Sequence, residues 1–333
     1  MQTSAFKPAW WLSQCHLQTI YPALYRKPPT PPNYRRERLT TPDQDFIDID
    51  FCVPGQGPLV ILLHGLTGSS KSSYIMGLQN IFAQLGWRSA ALNFRGCSGQ
   101  PNNTVRSYHS GDTFDLNFLY QTLRQREPQT PIAAVGFSLG GNVLLKWLGE
   151  QQQNLDLFAA AAVSTPLVLS ICSTKLDNGF AKIYRGTLLK DLKNYLHNKL
   201  QHLENIGQFK DAEKITALGD VSAIQSFWEY DGHVVAKLYG FKDAQDYYQQ
   251  SSARQFLKTI SVPTLLIQAL DDPFMTPAVL PTADEISDQV QLEFSAHGGH
   301  VGFISGCNPF KPEYWLEQRI PAFFQACLVR TQV

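Results

Sequence analysis

Short apolar runs rich in alanine or β-branched residues alternate along this chain with longer stretches whose apolar positions recur every three or four residues. The short runs predict strands at 46–53, 59–63, 88–93, 132–136, 158–164, 264–269 and 291–295. Most are continuously apolar, as strands buried on both faces of a parallel sheet must be. The longer stretches predict helices over 74–85, 113–126, 139–150 and 314–327. Such alternation is the pattern of a mostly parallel sheet flanked by helices. One connection breaks it: about 80 residues follow Pro166, against the 2 to 6 usual for a loop in such folds, so 166–248 is predicted to be an inserted helical cap. Near the start, the proline-rich segment 27–33 cannot hold a helix and reads as an extended tether behind an aromatic N-terminal arm. The predicted organisation is an arm and tether at 1–33, a core at 34–165 and 249–333, and a cap at 166–248.

Composition narrows the class. With 333 residues, 44% of them hydrophobic, the chain suits one large globular domain carrying an insertion. A formal net charge of zero leaves no electrostatic footprint for nucleic acid. The one basic run, Arg35, Arg36 and Arg38, is interrupted by Glu37 and reads as a solvated surface strand or loop. Six cysteines lie far apart without a C-x-x-C pair, which predicts free thiols rather than a zinc ribbon or disulfide staple. The first 21 residues lack the features of a secretory signal, giving a cytoplasmic expectation. The longest apolar run, 157–172, is broken by Ser164, Thr165, Pro166 and Ser170 and falls short of the roughly 20 residues of a membrane span. Membrane or lipid contact is therefore expected to be peripheral at most.

The string Gly-Phe-Ser-Leu-Gly-Gly from Gly136 follows an apolar strand and opens a helical stretch. A bare G-x-S-x-G arises by chance in about a tenth of chains this long, so the strand before it and the helix after it carry the signal. Together they form a nucleophile elbow, in which a tight strand-to-helix turn lifts Ser138 out of the sheet and side chains at Gly136 and Gly140 would collide with their neighbours. A serine hydroxyl needs a base to take its proton and fixed donors for the oxyanion that forms. For the donors, the H-G-x-x-G turn beginning at His64 follows strand 59–63, and the backbone N–H groups of Leu66 and Leu139 are the candidates. His64 itself is expected to brace that turn. For the acid, Asp271 and Asp272 compete after strand 264–269; Asp272 is the better placed, preceding Pro273 and an apolar residue, and Asp271 is expected to cap the following turn. For the base, His297 and His300 both follow the last strand, and glycines around His300 would let its backbone approach the elbow. The order Ser138, Asp272, His300 is that of the α/β-hydrolase fold, whose cap is inserted after its sixth strand.

At these strings the chain resembles the YheT-like branch of α/β-hydrolases. The resemblance rests on HGLTGSS, LNFRGCSGQPN, YHSGDT, VGFSLGGNVLLKWLGE, GFKDAQDYY, LDDPFMTP and GGHVGF, together with the arm FKPAWWLSQCHLQTI. It implies the triad Ser138, Asp272 and His300, with no departure at the catalytic strings, and activity on medium-chain acyl esters or phospholipids. Arg95, within LNFRGCSG, is expected in an internal salt bridge, or alternatively against a polar substrate group. Tyr184, Arg185 and the turn 231–233 are expected to pack within the cap, and Trp10 and Trp11 to be glued to the body.

The resulting expectation is a serine hydrolase acting on a small-molecule acyl ester, with no cofactor, no metal and no nucleic-acid partner. An acyltransferase passing the same acyl group to an alcohol, and a non-catalytic ligand-binding protein of this fold, are the alternatives; an intact Ser, Asp and His set argues against the latter. A dehalogenase would need Asp at the nucleophile, and a metallohydrolase a cluster of His and carboxylate ligands.

Overall fold

The computed structural model describes residues 2–331. Nine strands form one sheet: β1 (Gln2–Thr3), β2 (Tyr34–Thr40), β3 (Phe46–Cys52), β4 (Leu59–Leu63), β5 (Arg88–Asn93), β6 (Ile132–Phe137), β7 (Ala159–Val163), β8 (Thr264–Ala269) and β9 (Val290–Ser295). Their order is β1-β9-β8-β7-β6-β4-β5-β3-β2. Only β3 runs antiparallel to its neighbours; every other pairing is parallel. The α/β expectation and all seven expected strands are met within two residues at each end.

Every residue of β4, β5, β6, β7 and β8 is buried, which is why β4, β6 and β7 read as unbroken apolar runs and β5 and β8 carry apolar centres, with Arg88, Ser89, Asn93, Thr264 and Gln268 buried as polar exceptions. Their side chains alternate between two layers. On one face Leu59, Ile61 and Leu63 pack with Leu116, Leu119, Leu144 and Trp147, which belong to α3 (Phe114–Arg126) and α4 (Leu139–Gln151). On the other, Val60 and Leu62 pack with Ile75 and Phe82 of α2 (Ser73–Gln84) and with Ile320 and Phe324 of α11 (Leu316–Thr331). That last helix starts two residues later than predicted, because Glu313–Tyr314 forms a short ladder (β11) with Ile304–Ser305 (β10).

Between β7 and β8, after the sixth strand counted from Tyr34, comes a helical insertion: α5 (Leu169–Leu176), α6 (Ala181–Asn205), α7 (Phe209–Thr216), α8 (Phe227–Tyr230), α9 (Ala236–Tyr239) and α10 (Ala244–Ser251). A single π turn, Asp231–Val235, separates α8 from α9. These helices share a core of their own, built from residues such as Leu192, Leu196, Phe227, Val234 and Tyr247.

Three features escaped the sequence pattern. The basic run is the strand of its two expected readings, but the pairing of its arginines was missed: Arg36 and Arg38 lie directly opposite Asp50 and Asp48 of β3 and grip them bidentately at 2.7–2.8 Å. The arm contains a helix, α1 (Cys15–Tyr25), whose N-terminus is capped by the Gln14 side chain at 3.0 Å from the Leu17 N–H. The arm also begins as β1 on one edge of the sheet, while β2 lies on the opposite edge. The arm and tether together thus lead from one edge of the sheet to the other. Trp11 packs edge-on against Tyr21 in a cluster that includes Ile304 and Tyr314 of the body, whereas Trp10 is 71% exposed and donates its indole N–H to the Cys307 carbonyl. Among the described residues no helix is long and apolar enough to cross a membrane.

Candidate active site

The parallel strands end on one side of the sheet, the usual location for ligands in open α/β sheets. Three of their C-terminal ends meet there. Ser138 sits between β6 and α4 with φ 50° and ψ −120°, a conformation that costs about 1–3 kcal/mol for a residue with a Cβ. Steric crowding explains the flanking glycines. A Cβ on Gly136 would lie 2.3 Å from the Gly140 carbonyl oxygen, and one on Gly140 would lie 2.4 Å from that of His64. The elbow is therefore wedged between the start of α4 and the end of β4.

His300 Nε2 is 2.9 Å from Ser138 Oγ, and its Nδ1 is 2.8 Å from Asp272 Oδ2. Because a carboxylate accepts, Nδ1 carries the ring proton and Nε2 presents its lone pair to the serine hydroxyl. Asp272 is held in turn by the Gln268 amide at 3.1 Å and by the Phe274 N–H at 2.9 Å. The Phe274 ring lies flat on the imidazole, with centroids 4.0 Å apart and planes 3° from parallel. The three residues singled out by spacing are thus brought into one hydrogen-bonded line.

Asp271 behaves differently from expectation. It does not cap the following turn; its carboxylate accepts from the Gly299 N–H at 3.0 Å and faces the half-exposed His297 ring at 3.2 Å. It holds the histidine loop from outside. Nor do Gly299 and Gly302 of that loop serve an approach to the elbow. The neighbours that a Cβ on Gly299 or Gly302 would strike are the Cys15 carbonyl at 2.5 Å and the Gln18 carbonyl at 2.2 Å, so the loop is close-packed on α1 rather than on the elbow. Ser164 was not anticipated either: buried, with φ 50°, it accepts the Val301 N–H on its Oγ at 2.9 Å. Nothing local in the sequence marks it, since its partner is 137 residues away.

The candidate amides occupy a braced turn. His64 is fully buried; its Nε2 accepts the Phe94 N–H at 3.1 Å and its Nδ1–H donates to the Gly65 carbonyl at 2.7 Å. Burial pushes this imidazole down to about 4, so it is neutral, and it serves as the expected brace. The N–H groups of Gly65 and Thr67 are taken by the hydroxyls of Tyr74 and Tyr108 at 2.9 and 3.0 Å. Between them, the Leu66 N–H has no partner among the described residues, and neither has the Leu139 N–H in the first turn of α4.

Ser138 and His300 open onto a cavity of about 140 Å³, on the order of ten times the roughly 10–15 Å³ that one water needs. It runs beneath the helical insertion, and its walls are mainly apolar, with Leu169, Leu188, Leu192, Leu196, Val235 and Leu238 among them. Asp231, Tyr248 and Ser173 supply a polar strip, linked by hydrogen bonds from Ser173 to Tyr248 at 2.9 Å and from Tyr248 to Asp231 at 2.7 Å. Arg95 takes no part in this wall. Its buried guanidinium pairs bidentately with Asp115 and Asp43 at 2.8–3.1 Å, the internal salt bridge of the two alternatives. Arg185 pairs with Asp177 at 2.8 Å, and Tyr184 packs against Phe274. Among the described residues no group of three His, Cys, Asp or Glu side chains is disposed to hold a metal ion.

Comparison with known proteins agrees with this architecture. The profile of the alpha/beta hydrolase fold family matches residues 58–306. The chain is 39% identical over 328 residues to the Escherichia coli (strain K12) protein named "Putative esterase YheT", covering 96% of this chain and 92% of that one. It is 30% identical over 341 residues to "Phospholipase ABHD3" of Mus musculus, covering 97% of this chain and 79% of that one. Among solved structures, the Pyrococcus furiosus esterase Pf2001 superposes with a TM-score of 0.54 at 16% identity, over 90% of this chain and 98% of that one, a likeness of fold. By sequence and by architecture alike, the chain belongs to the α/β-hydrolase fold family, as a YheT-like member.

Proposed function

We propose that this protein is a serine hydrolase that cleaves carboxylic esters of short- to medium-chain acyl groups through an acyl-enzyme on Ser138. The observation that carries the reading is the line Asp272–His300–Ser138, with contacts of 2.8 and 2.9 Å, opening onto an apolar cavity. Relatives named esterase and phospholipase support an ester substrate.

In this reading Ser138 Oγ attacks the acyl carbonyl while His300 Nε2 takes the hydroxyl proton, and Asp272 holds the imidazole in register and stabilises the imidazolium that forms. The carbonyl oxygen becomes an oxyanion and receives the two unpartnered amides of Leu66 and Leu139. These donors are already fixed by the braces around them, so no reorganisation is needed as charge develops. His300 then hands its proton to the departing alkoxide, completing the alcohol. Water, deprotonated by the same imidazole, attacks the acyl-enzyme and releases the acid. The insertion acts as a cap whose leucines shelter the acyl chain, and each buried methylene contributes about 0.8 kcal/mol, or roughly fourfold in kcat/KM.

Ser138→Ala is expected to lower kcat on any accepted ester by about 10⁴-fold or more. Across a series of linear acyl esters, kcat/KM should climb about fourfold per methylene and level off once the cavity is filled. Near-normal turnover by pure Ser138→Ala protein would reject the nucleophile, and a profile flat from acetyl upwards would reject the cavity as the acyl site.

A further inference from the structure

The loop that carries His300 is secured by a part of the chain almost 300 residues away. The His300 N–H donates to Thr19 Oγ1 at 2.9 Å. Thr19 in turn donates its hydroxyl proton to the Cys15 carbonyl at 2.8 Å, one helical turn back, which leaves its oxygen free to accept from the loop. Next to it, Gln18 is fully buried and spends its amide on the segment just beyond. Its Oε1 accepts the Ile304 N–H at 2.7 Å, and its Nε2 donates to the carbonyls of Ile304 at 2.9 Å and Leu12 at 2.8 Å.

Between those two anchor points the loop adopts a backbone that it would not choose alone. Val301 and Phe303 have φ of 63° and 45°, in the left-handed region that residues with a side chain avoid, the β-branched Val301 above all. Such conformations persist only where the surroundings over-determine them. The surroundings here are α1 on one side, close enough that Gly299 and Gly302 have no room for a Cβ, and Ser164 on the other. A third contact reaches the insertion: His16 Nδ1 lies 2.9 Å from the Tyr184 hydroxyl, and Tyr184 rests on Phe274, the ring stacked on His300.

We infer that the string His16-Leu17-Gln18-Thr19 of the N-terminal arm is a positioning element for the reaction. Thr19 and Gln18 set the height of the His300 backbone so that Nε2 meets Ser138, and His16 ties the same point to the helical insertion. The arm is then part of the working site, although none of its residues touches the reacting atoms. This rests on His300 acting as the base, and the test separates the two ideas.

In the full chain, Thr19→Val removes the hydroxyl at nearly constant shape, and Thr19→Ser keeps it. Thr19→Val is expected to lower kcat by about 10- to 100-fold through imidazole misplacement, with KM within about twofold and an unfolding midpoint well above the assay temperature. Thr19→Ser is expected to restore kcat to within about threefold of the parent. In a His300→Ala background Thr19→Val should have no further effect, because its influence passes through the imidazole. If valine prevents folding, Thr19→Ala is read in the same way. Wild-type kcat in Thr19→Val, a loss that serine does not restore, or an equal further loss in the His300→Ala background would overturn the inference. Unchanged turnover in His300→Ala alone would instead strike at the base itself.

Discussion

Gly136→Ala is the most demanding substitution that the elbow offers. The added Cβ would sit 2.3 Å from the Gly140 carbonyl oxygen, 2.6 Å from its carbon and 2.7 Å from the Gly141 nitrogen. All three are backbone atoms at the start of α4, so no side chain can rotate away. Ordinary contacts lie near 3.5 Å, and relief therefore requires α4 to retreat from β6 by about 1 Å. That movement carries Ser138 and the Leu139 N–H with it. A misplacement of this size costs about 10²-fold in rate, and crowding of this kind costs about 1–3 kcal/mol in stability. Steady-state hydrolysis of a chromogenic ester, paired with urea unfolding, should show kcat down about 100-fold with KM little changed. Gly186→Ala is the matched control: apart from its chain neighbours and its own helix backbone nothing lies within 4 Å of a Cβ there, in the second turn of α6, so kcat should hold and stability rise by about 1 kcal/mol. A folded Gly136→Ala protein with kcat within threefold of the parent would refute the steric account of the elbow.

Removing Arg95 leaves the buried Asp115 carboxylate without its bidentate partner, so Arg95→Ala should lose about 3–5 kcal/mol of stability by urea titration. Since Arg95 does not line the cavity, kcat/KM of the folded fraction should stay within about twofold, and a tenfold loss would revive a substrate role. Stability should also carry opposing pH signatures. Burial lowers His64 and His109 from 6.5 to about 4, so each contributes about 3 kcal/mol above pH 6.5 that fades as pH falls towards 4. Burial raises Asp231 from 3.8 to about 7, so its contribution, at most about 4 kcal/mol, is full below pH 3.8 and fades as pH rises to 7. Asp231→Asn should therefore gain stability relative to the parent progressively from pH 4 to 7, and a constant difference across that window would contradict the burial argument.

The central sheet was legible because strands buried on both faces keep an apolar centre even where polar residues such as Arg88, Asn93 and Gln268 interrupt them: Leu59–Leu63, Arg88–Asn93 and Thr264–Ala269 match their expected bounds residue for residue. The hydrogen-bonded line of Ser138, His300 and Asp272 was legible because each member sits in a loop whose chemistry is local, a wedged serine, an aspartate before proline and a histidine among glycines. What stayed hidden depends on partners far along the chain. Arg36 and Arg38 look solvated until β3 supplies Asp50 and Asp48 across the ladder. The glycines around His300 point to close packing without naming the partner, because only the folded chain presses Cys15 and Gln18 against Gly299 and Gly302. The arm itself, with short polar interruptions and a proline at position 22 inside α1, offers too little periodicity to announce a helix. In the insertion, length alone was informative, since its helices bury their faces mainly against one another.

The most direct test of the account is covalent labelling with a fluorophosphonate, followed by peptide mapping of the modified residue. One label per chain is expected, on Ser138, formed at a rate that falls sharply in His300→Ala and lost altogether in Ser138→Ala. Absence of labelling in folded protein that still turns over ester, or a label mapped to any other serine, would contradict it.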